Sequence, residues 1–439
     1  MATNASSGPV RRNTTLKILQ STKNIGFAAG ICFLINGMTG PGLVQTTAMY
    51  QSAGWILPTF CYILFAVVSG MSVLFIMEAM QKIPGNKHFQ GVVEYATLFN
   101  FYFDKPLHIT SQFLLYGALM SNAVQCIVLV AQSIDNMLVD IFKFSWGVSW
   151  SLKSIVVHQS GQGPSPFNDY MILTLGLLVV LAFTIPFLFL SLGDNINLQF
   201  VFAILSGVIV LVWLGLSARM IVLRGFEQQL EQNVPLFSLS GVGNVMGPVL
   251  LNLAFTQVVP SWVNLKRADV KPHTTITTSL YIATALYILV GFFPAVAFSN
   301  VSDSIIPPLT TPQPGFPASA VIAKISAYAY TLIMLLPGIP VFMVVQYDNF
   351  CQNQIMGKTL SGFMCFVLPW IAVAAIPLQT SGVIFGLFLN WTSAIFVSAA
   401  NFILPFLVYL RCHQFRKKYE ESRGSFSRDA WGHLARTII

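Results

Sequence analysis

Apolar runs of about twenty residues recur ten times along this chain, and a run of that length is what a helix needs to cross a bilayer. They fall at roughly 24–50, 54–80, 109–141, 169–191, 196–218, 241–263, 274–298, 318–347, 359–378 and 383–410. A soluble fold could not hide them. Of the 439 residues 55% are hydrophobic and 9% are charged, where soluble domains carry about 25% charged residues. The chain therefore reads as an all-α polytopic membrane protein.

The net charge of +8 does not indicate a nucleic-acid partner, because the basic residues sit at the ends of apolar runs and in the tails. With the N-terminus inside, the inner segments hold eighteen lysines and arginines and the outer segments hold four: Lys143, Lys153, Arg219 and Arg224. That bias places both tails in the cytosol. The basic tail after Leu410 reads as a solvated segment attracted to anionic lipid. The boundaries that follow are a tail at 1–23, a first five-helix unit at 24–218, an outer connection at 219–240, a second unit at 241–410 and a tail at 411–439. Six cysteines are present, with no metal-type cluster and no pair in an outer loop, so neither a disulfide framework nor a bound cofactor is expected.

The first run contains "NGMTGPGLVQTTAMYQSAGW", Asn36–Trp55. Pro41 deletes an amide donor at membrane depth, and Gly40 and Gly42 weaken the helix around it. Irregular backbone survives in lipid only where it lines a cavity or is buried in protein. Two half-helices are expected, one ending near Asn36 with free carbonyls and one starting near Gly42 with free amides. The first end attracts cations and the second anions, which suits a zwitterion. The sixth run, "GVGNVMGPVLLNLAFTQVVPSW" (Gly241–Trp262), carries Gly247–Pro248, then Asn252, Thr256, Gln257 and Pro260, and is expected to break as well. Breaks in the first and sixth of ten spans are the pattern of an inverted repeat with a site between discontinuous helices.

The first-run motif resembles that of the amino acid/auxin permease family, with Asn36, Gly40, Gly42, Leu43, Val44, Ala53, Gly54 and Trp55 in register. "LNLAFTQVVPSWVNLKRAD", "GIPVFMVVQYDNF" and "NFILPFLVYL" resemble its sixth, eighth and tenth helices, so the resemblance covers about 24–410. Three departures stand out. Thr47 occupies a position usually held by Pro, Gln257 one often held by His, and ten spans are read where the family usually has eleven. The resemblance implies a LeuT-like 5+5 inverted repeat with discontinuous helices 1 and 6. It implies a secondary transporter moving amino acids by alternating access in the plasma membrane or a vacuolar/endolysosomal membrane, with lipid and a coupling ion as its other partners. A nutrient sensor on the same scaffold is the rival reading, disfavoured by the short tails. A membrane enzyme would need paired carboxylates or a nucleophile–base pair at membrane depth, and the sequence offers none.

The candidate substrate contacts are Asn36, Thr39, Gly40, Pro41, Gly42, Leu43, Ala254, Phe255 and Gln257. By resemblance the substrate carboxylate meets the Gly40–Leu43 amides, and Asn36 orders the unwound segment or ligates a cation. Ser121 and Asn122, with Gln125 beside them, are candidates for the pathway, against the simpler reading of interhelical hydrogen bonds. Asn36 and Gly338 fall at the ion-site position, where sodium-coupled relatives carry a hydroxyl in the eighth helix. Glycine there implies coupling to protons rather than sodium. Asp135 and Asp140 are expected to be solvated, Lys324 to snorkel outward, and the six histidines to lie in loops or tails.

Overall fold

The structure is a computed structural model describing residues 25–83, 86–149, 155–159, 171–188, 196–301, 304–310, 317–375 and 382–422. Among the described residues seven helices are long and apolar enough to cross a membrane, and Phe27–Met38 with Pro41–Ala53, bent by 60°, make an eighth when taken as one span. At the expected fourth span lies the shorter apolar helix Leu175–Phe187. At the expected sixth lie two short helices, Met246–Asn252 and Val259–Leu265. The protein is an integral multi-pass membrane protein. Its lipid-facing and inward-facing residues divide cleanly along single helices. On span two (Ile56–Lys82), Phe60, Ile63 and Val67 are exposed while Tyr62, Val73 and Ile76 are fully buried.

Several elements differ from the sequence expectation. The outer segment after span three is not all loop. Strands Phe144–Ser149, Ile155–Gln159 and Met171–Thr174 form an antiparallel sheet with the first strand in the centre. Span four consequently begins at Leu175, not 169, with Thr174 accepting a hydrogen bond from the Leu177 amide as its cap. Span five runs on to Arg224, and the outer connection holds the helix Phe226–Asn233. Span three is a 38-residue helix, Lys105–Phe142. Spans eight to ten are each interrupted by π-helical turns, at Thr331–Leu335, Phe363–Val367, Ser393–Val397 and Ala399–Ile403. The last helix extends to Ser422.

Asp135, near the outer end of span three, is not solvated as expected. It is buried, where it accepts hydrogen bonds from Ser145 Oγ (2.9 Å) and the Gly176 amide (2.7 Å) and so ties the sheet and span four to span three. Lys324 keeps 29% of its side chain exposed beside Asp140, which keeps 36%. It donates to both oxygens of Asp140 at 3.0 Å, and the Tyr328 hydroxyl donates to the same carboxylate at 2.7 Å. His108 also departs from expectation, being buried in the first turn of span three.

The expected orientation predicts glycosylation at Asn300, which is exposed beyond the end of span seven. Treatment of protein from eukaryotic cells with an endoglycosidase should shift its electrophoretic mobility, and Asn300→Gln should remove the shift. A C-terminal tag reached by antibody in intact cells would overturn the orientation. Asn4 and Asn13, the two inner sequons, lie outside the described residues.

Candidate functional site

Backbone hydrogen bonds tie span one to span six at the inner end, and the turn between spans one and two to the outer connection at the other end. At the inner end the Ile25 amide donates to Leu265 O (3.2 Å), and the Arg267 amide donates back to Ile25 O (3.0 Å). At the outer end the amides of Ser238, Trp55 and Ile56 donate to Ala53, Pro235 and Leu236 carbonyls at 3.0, 3.2 and 3.4 Å. Between these ends the contacts run in reverse order: Gly30 beside Trp262, Gly37 beside Val258, Gly42 beside Leu251 and Asn252. The two spans are therefore antiparallel, and their breaks lie at the same depth.

The first break is short. The inner half-helix ends at Met38 and the outer one starts at Pro41, which fills the first helical position where no amide donor is needed. Thr39 folds back on the carbonyl end, its hydroxyl donating to Ile35 O at 3.0 Å and Asn36 O at 3.5 Å. The carbonyl end is thus partly capped by its own chain. The amide end is not. Gly40, the N-cap, supplies no side-chain cap, and a Cβ built on it would meet nothing within 4 Å. The Gly40 carbonyl accepts from the Leu43 amide (3.2 Å) and from the Tyr330 hydroxyl of span eight (3.4 Å).

The second break is longer, covering Leu253–Val258. Gly247–Pro248 opens the outer piece and Pro260 opens the inner piece, so both prolines mark helix starts and the unwound segment lies between them. Its backbone is held by neighbours. The Ser69 hydroxyl donates to Leu253 O (2.6 Å), and the Tyr287 hydroxyl to Asn252 O (3.0 Å). The Thr256 hydroxyl donates to Asn401 O (3.0 Å). Asn252 Nδ2 donates to the Tyr62 hydroxyl at 2.8 Å, and Tyr62 stacks on Tyr287 with ring centroids 5.4 Å apart.

Of the sequence candidates, Asn36, Thr39, Gly40, Pro41, Gly42 and Leu43 flank the first break, and Ala254, Phe255 and Gln257 lie in the second. Phe255 is fully buried in the main core. Ala254 belongs to a separate small apolar cluster with Leu251, Ala118 of span three and Leu389, Val397 and Ala400 of span ten. Amide oxygens of Asn36, Asn252 and Gln257 are buried without a hydrogen-bond partner, which marks them as groups available to a ligand. On span three the Ser121 hydroxyl donates to Ala118 O (3.0 Å), whereas Asn122 Oδ1 and both amide atoms of Gln125 have no partner. A Cβ built on Gly338 would lie 3.6 Å from Phe342 and 4.0 Å from Cys126 Sγ, so this position faces span three. Thr331 Oγ1 bonds Ser133 Oγ (3.3 Å) and Ala327 O (3.1 Å). The span-eight side chain that bonds the first break is Tyr330. Sequence reading missed it, with Tyr62 and Tyr287, because a tyrosine in an apolar run carries no signal that separates a core ring from a site hydroxyl.

No protein-family model and no curated protein matches this chain. Among solved structures it is similar to the Eremococcus coleocola manganese transporter. The complex of that transporter with an aromatic bis-isothiourea substituted compound is 13% identical, aligned over 100% of this chain and 94% of that one, with a TM-score of 0.49. A mutant of the same transporter is 12% identical over the same shares, with a TM-score of 0.46.

Proposed function

We propose that this protein is a secondary transporter that moves amino acids by alternating access, with its substrate held between the two breaks. The observation that carries the reading is the pairing of level breaks in antiparallel spans, with uncapped amides beside open space at Gly40 and unpartnered amide oxygens at Asn36, Asn252 and Gln257. A substrate carboxylate fits the Gly40–Leu43 end, where helix amides and dipole favour an anion. A substrate ammonium fits the amide oxygens across the break. The LeuT-like 5+5 inverted repeat, spans one to five and six to ten, is part of the same proposal. Support for it comes from the reversed contacts, since the start of span one meets the end of span six and the reverse. Uptake of radiolabelled amino acids into proteoliposomes tests the reading. Accumulation of none of them, or saturable transport of Mn²⁺ in their place, would overturn it.

Proton coupling belongs to the same proposal. Gly338 brings no oxygen, and the Thr331 hydroxyl is already engaged with Ser133 and Ala327. A small hard cation needs several oxygen ligands, and the span-eight oxygen at the first break is the single neutral hydroxyl of Tyr330, already donating to Gly40 O. Uptake should therefore change less than twofold when choline replaces sodium at fixed pH, and should respond to an imposed pH gradient. A steep, saturable sodium requirement would refute it.

A further inference from the structure

Spans three and eight pack antiparallel along a seam fixed by four pairs. From outside to inside these are Asp140 with Lys324, Ser133 with Thr331, Cys126 with Gly338 and Tyr116 with Phe350. The outer part of the seam is fully bonded. The inner part is not. Gln346 is four residues, about 6 Å, outward of Phe350, which places it opposite residues 118–120 of span three. It is 0% exposed, and both its amide atoms lack a hydrogen-bond partner.

The same condition repeats along the inner half of span three. His108 and Gln112 lie two turns and one turn inward of Tyr116. Both ring nitrogens of the first and both amide atoms of the second are buried and unpartnered. Tyr116 bonds Met364 O of span nine at 2.8 Å, and one turn inward of Met364 the Ser361 hydroxyl is also buried and unpartnered. Outward, Asn122 and Gln125 continue the series beyond Ala118, the residue that packs against Ala254 and Leu251 at the second break. The series thus runs from the inner end of span three to the depth of the site. Each such group costs stability in a dry interface, and six of them on spans three, eight and nine depart from the rule that buried polar groups are bonded. Water resolves the cost, because each molecule takes two to four polar partners.

We propose that this seam holds a row of bound waters linking the cytosolic face to the breaks, and that the row conducts protons. The proton role rests on the transporter reading above; the water does not. Amides and imidazole present donors and acceptors together, which suits water and hydronium. A hard ion such as Ca²⁺ or Mg²⁺ would need several oxygens, and none of the six is a carboxylate; among the described residues no three of His, Cys, Asp and Glu gather to hold a softer metal. Conduction needs no net chemistry. A proton enters the row at the break, each water accepts one proton and passes another to its neighbour, and one proton leaves to the inner bulk.

Two experiments test this. The first uses proteoliposomes loaded with a pH-sensitive dye and given an equimolar mixture of the proteinogenic amino acids. Wild type should show uptake-driven proton movement, and Gln346→Leu should reduce it at least tenfold while its thermal midpoint holds or rises, since an unbonded amide has been removed. Proton flux within twofold of wild type in Gln346→Leu would overturn the proposal. So would wild-type uptake with no proton movement. The second measures Gln346→Cys and Gln112→Cys labelling by a membrane-impermeant methanethiosulfonate, relative to wild type. Labelling from the inner face only is expected, and no labelling from that face would overturn the water row even if Gln346→Leu fails to fold. If no amino acid is taken up at all, the functional proposal fails, and the labelling result alone decides whether the seam is wet.

Discussion

Gly42→Leu is expected to abolish transport, and the cause is a contact between the two broken spans. A Cβ at Gly42 would run into Asn252 Oδ1, lying 3.0 Å from Asn252 Cγ and 3.2 Å from Leu251 Cδ2. Even alanine there must push back the residue whose backbone carbonyl and side chain hold Tyr287 and Tyr62. Overpacking of this kind costs about 1–3 kcal/mol, and here it is delivered at the point where the breaks cross. Gly40→Ala separates packing from occupancy. Its added carbon meets nothing within 4 Å, and its φ of −154° lies outside the left-handed region that favours glycine. It should fold and insert as wild type does, yet lose tenfold or more in apparent affinity, because the new methyl fills the space assigned to the substrate. Thermal stability in detergent and concentration-dependent uptake read the two effects apart. Wild-type affinity in Gly40→Ala would remove the substrate from the first break.

Gly54→Ala should be strongly damaging at the outer end. Gly54 has φ +87°, ψ −177°, a region that side-chain-bearing residues rarely enter. A Cβ there would sit 2.6 Å from Pro235 O and 2.7 Å from Leu236 O. Those two carbonyls accept the Trp55 and Ile56 amides, so a shift to relieve the clash breaks the tie between the span one–two turn and the outer connection. Backbone strain alone costs about 1–3 kcal/mol, and the lost bonds add about 1 kcal/mol each. The thermal midpoint should fall sharply. Gly243→Ala, which meets nothing within 4 Å, should leave it unchanged. Equal midpoints for the two variants would show that the outer tie is not as tight as drawn.

Both breaks were legible in the sequence for a chemical reason. Proline and paired glycines disfavour helix, and at membrane depth an opened backbone survives only where protein or a cavity receives it. Their meaning was less legible. Pro248 and Pro260 start helices, so the unwound stretch of span six is the one between them, where Asn252, Thr256 and Gln257 already supplied the polar signal. The π-helical turns of spans eight to ten leave no mark in composition, because an extra residue in an apolar helix is still apolar. The position assigned to the ion, Gly338, came from the resemblance alone, and nothing in composition separates Tyr330, whose hydroxyl bonds the first break just before the turn at Thr331–Leu335. Asp135 looked like a surface charge because its partners, Ser145 and Gly176, are far enough along the chain that no local pattern joins them.

The main-chain ties at the two ends of span one have an evolutionary corollary. The inner tie has two backbone bonds and the outer tie three. At about 1 kcal/mol net per bond, each closure is worth roughly 2–3 kcal/mol, close enough that either end could open with a population of a few per cent. Side-chain substitution cannot delete a peptide amide unless the newcomer is proline. On the proposed transport reading, drift elsewhere in the sequence would therefore leave the balance between the two open forms nearly untouched, while a cargo preference set by side chains around the breaks stays free to change. A lineage built on this scaffold could switch what it carries without relearning how to move.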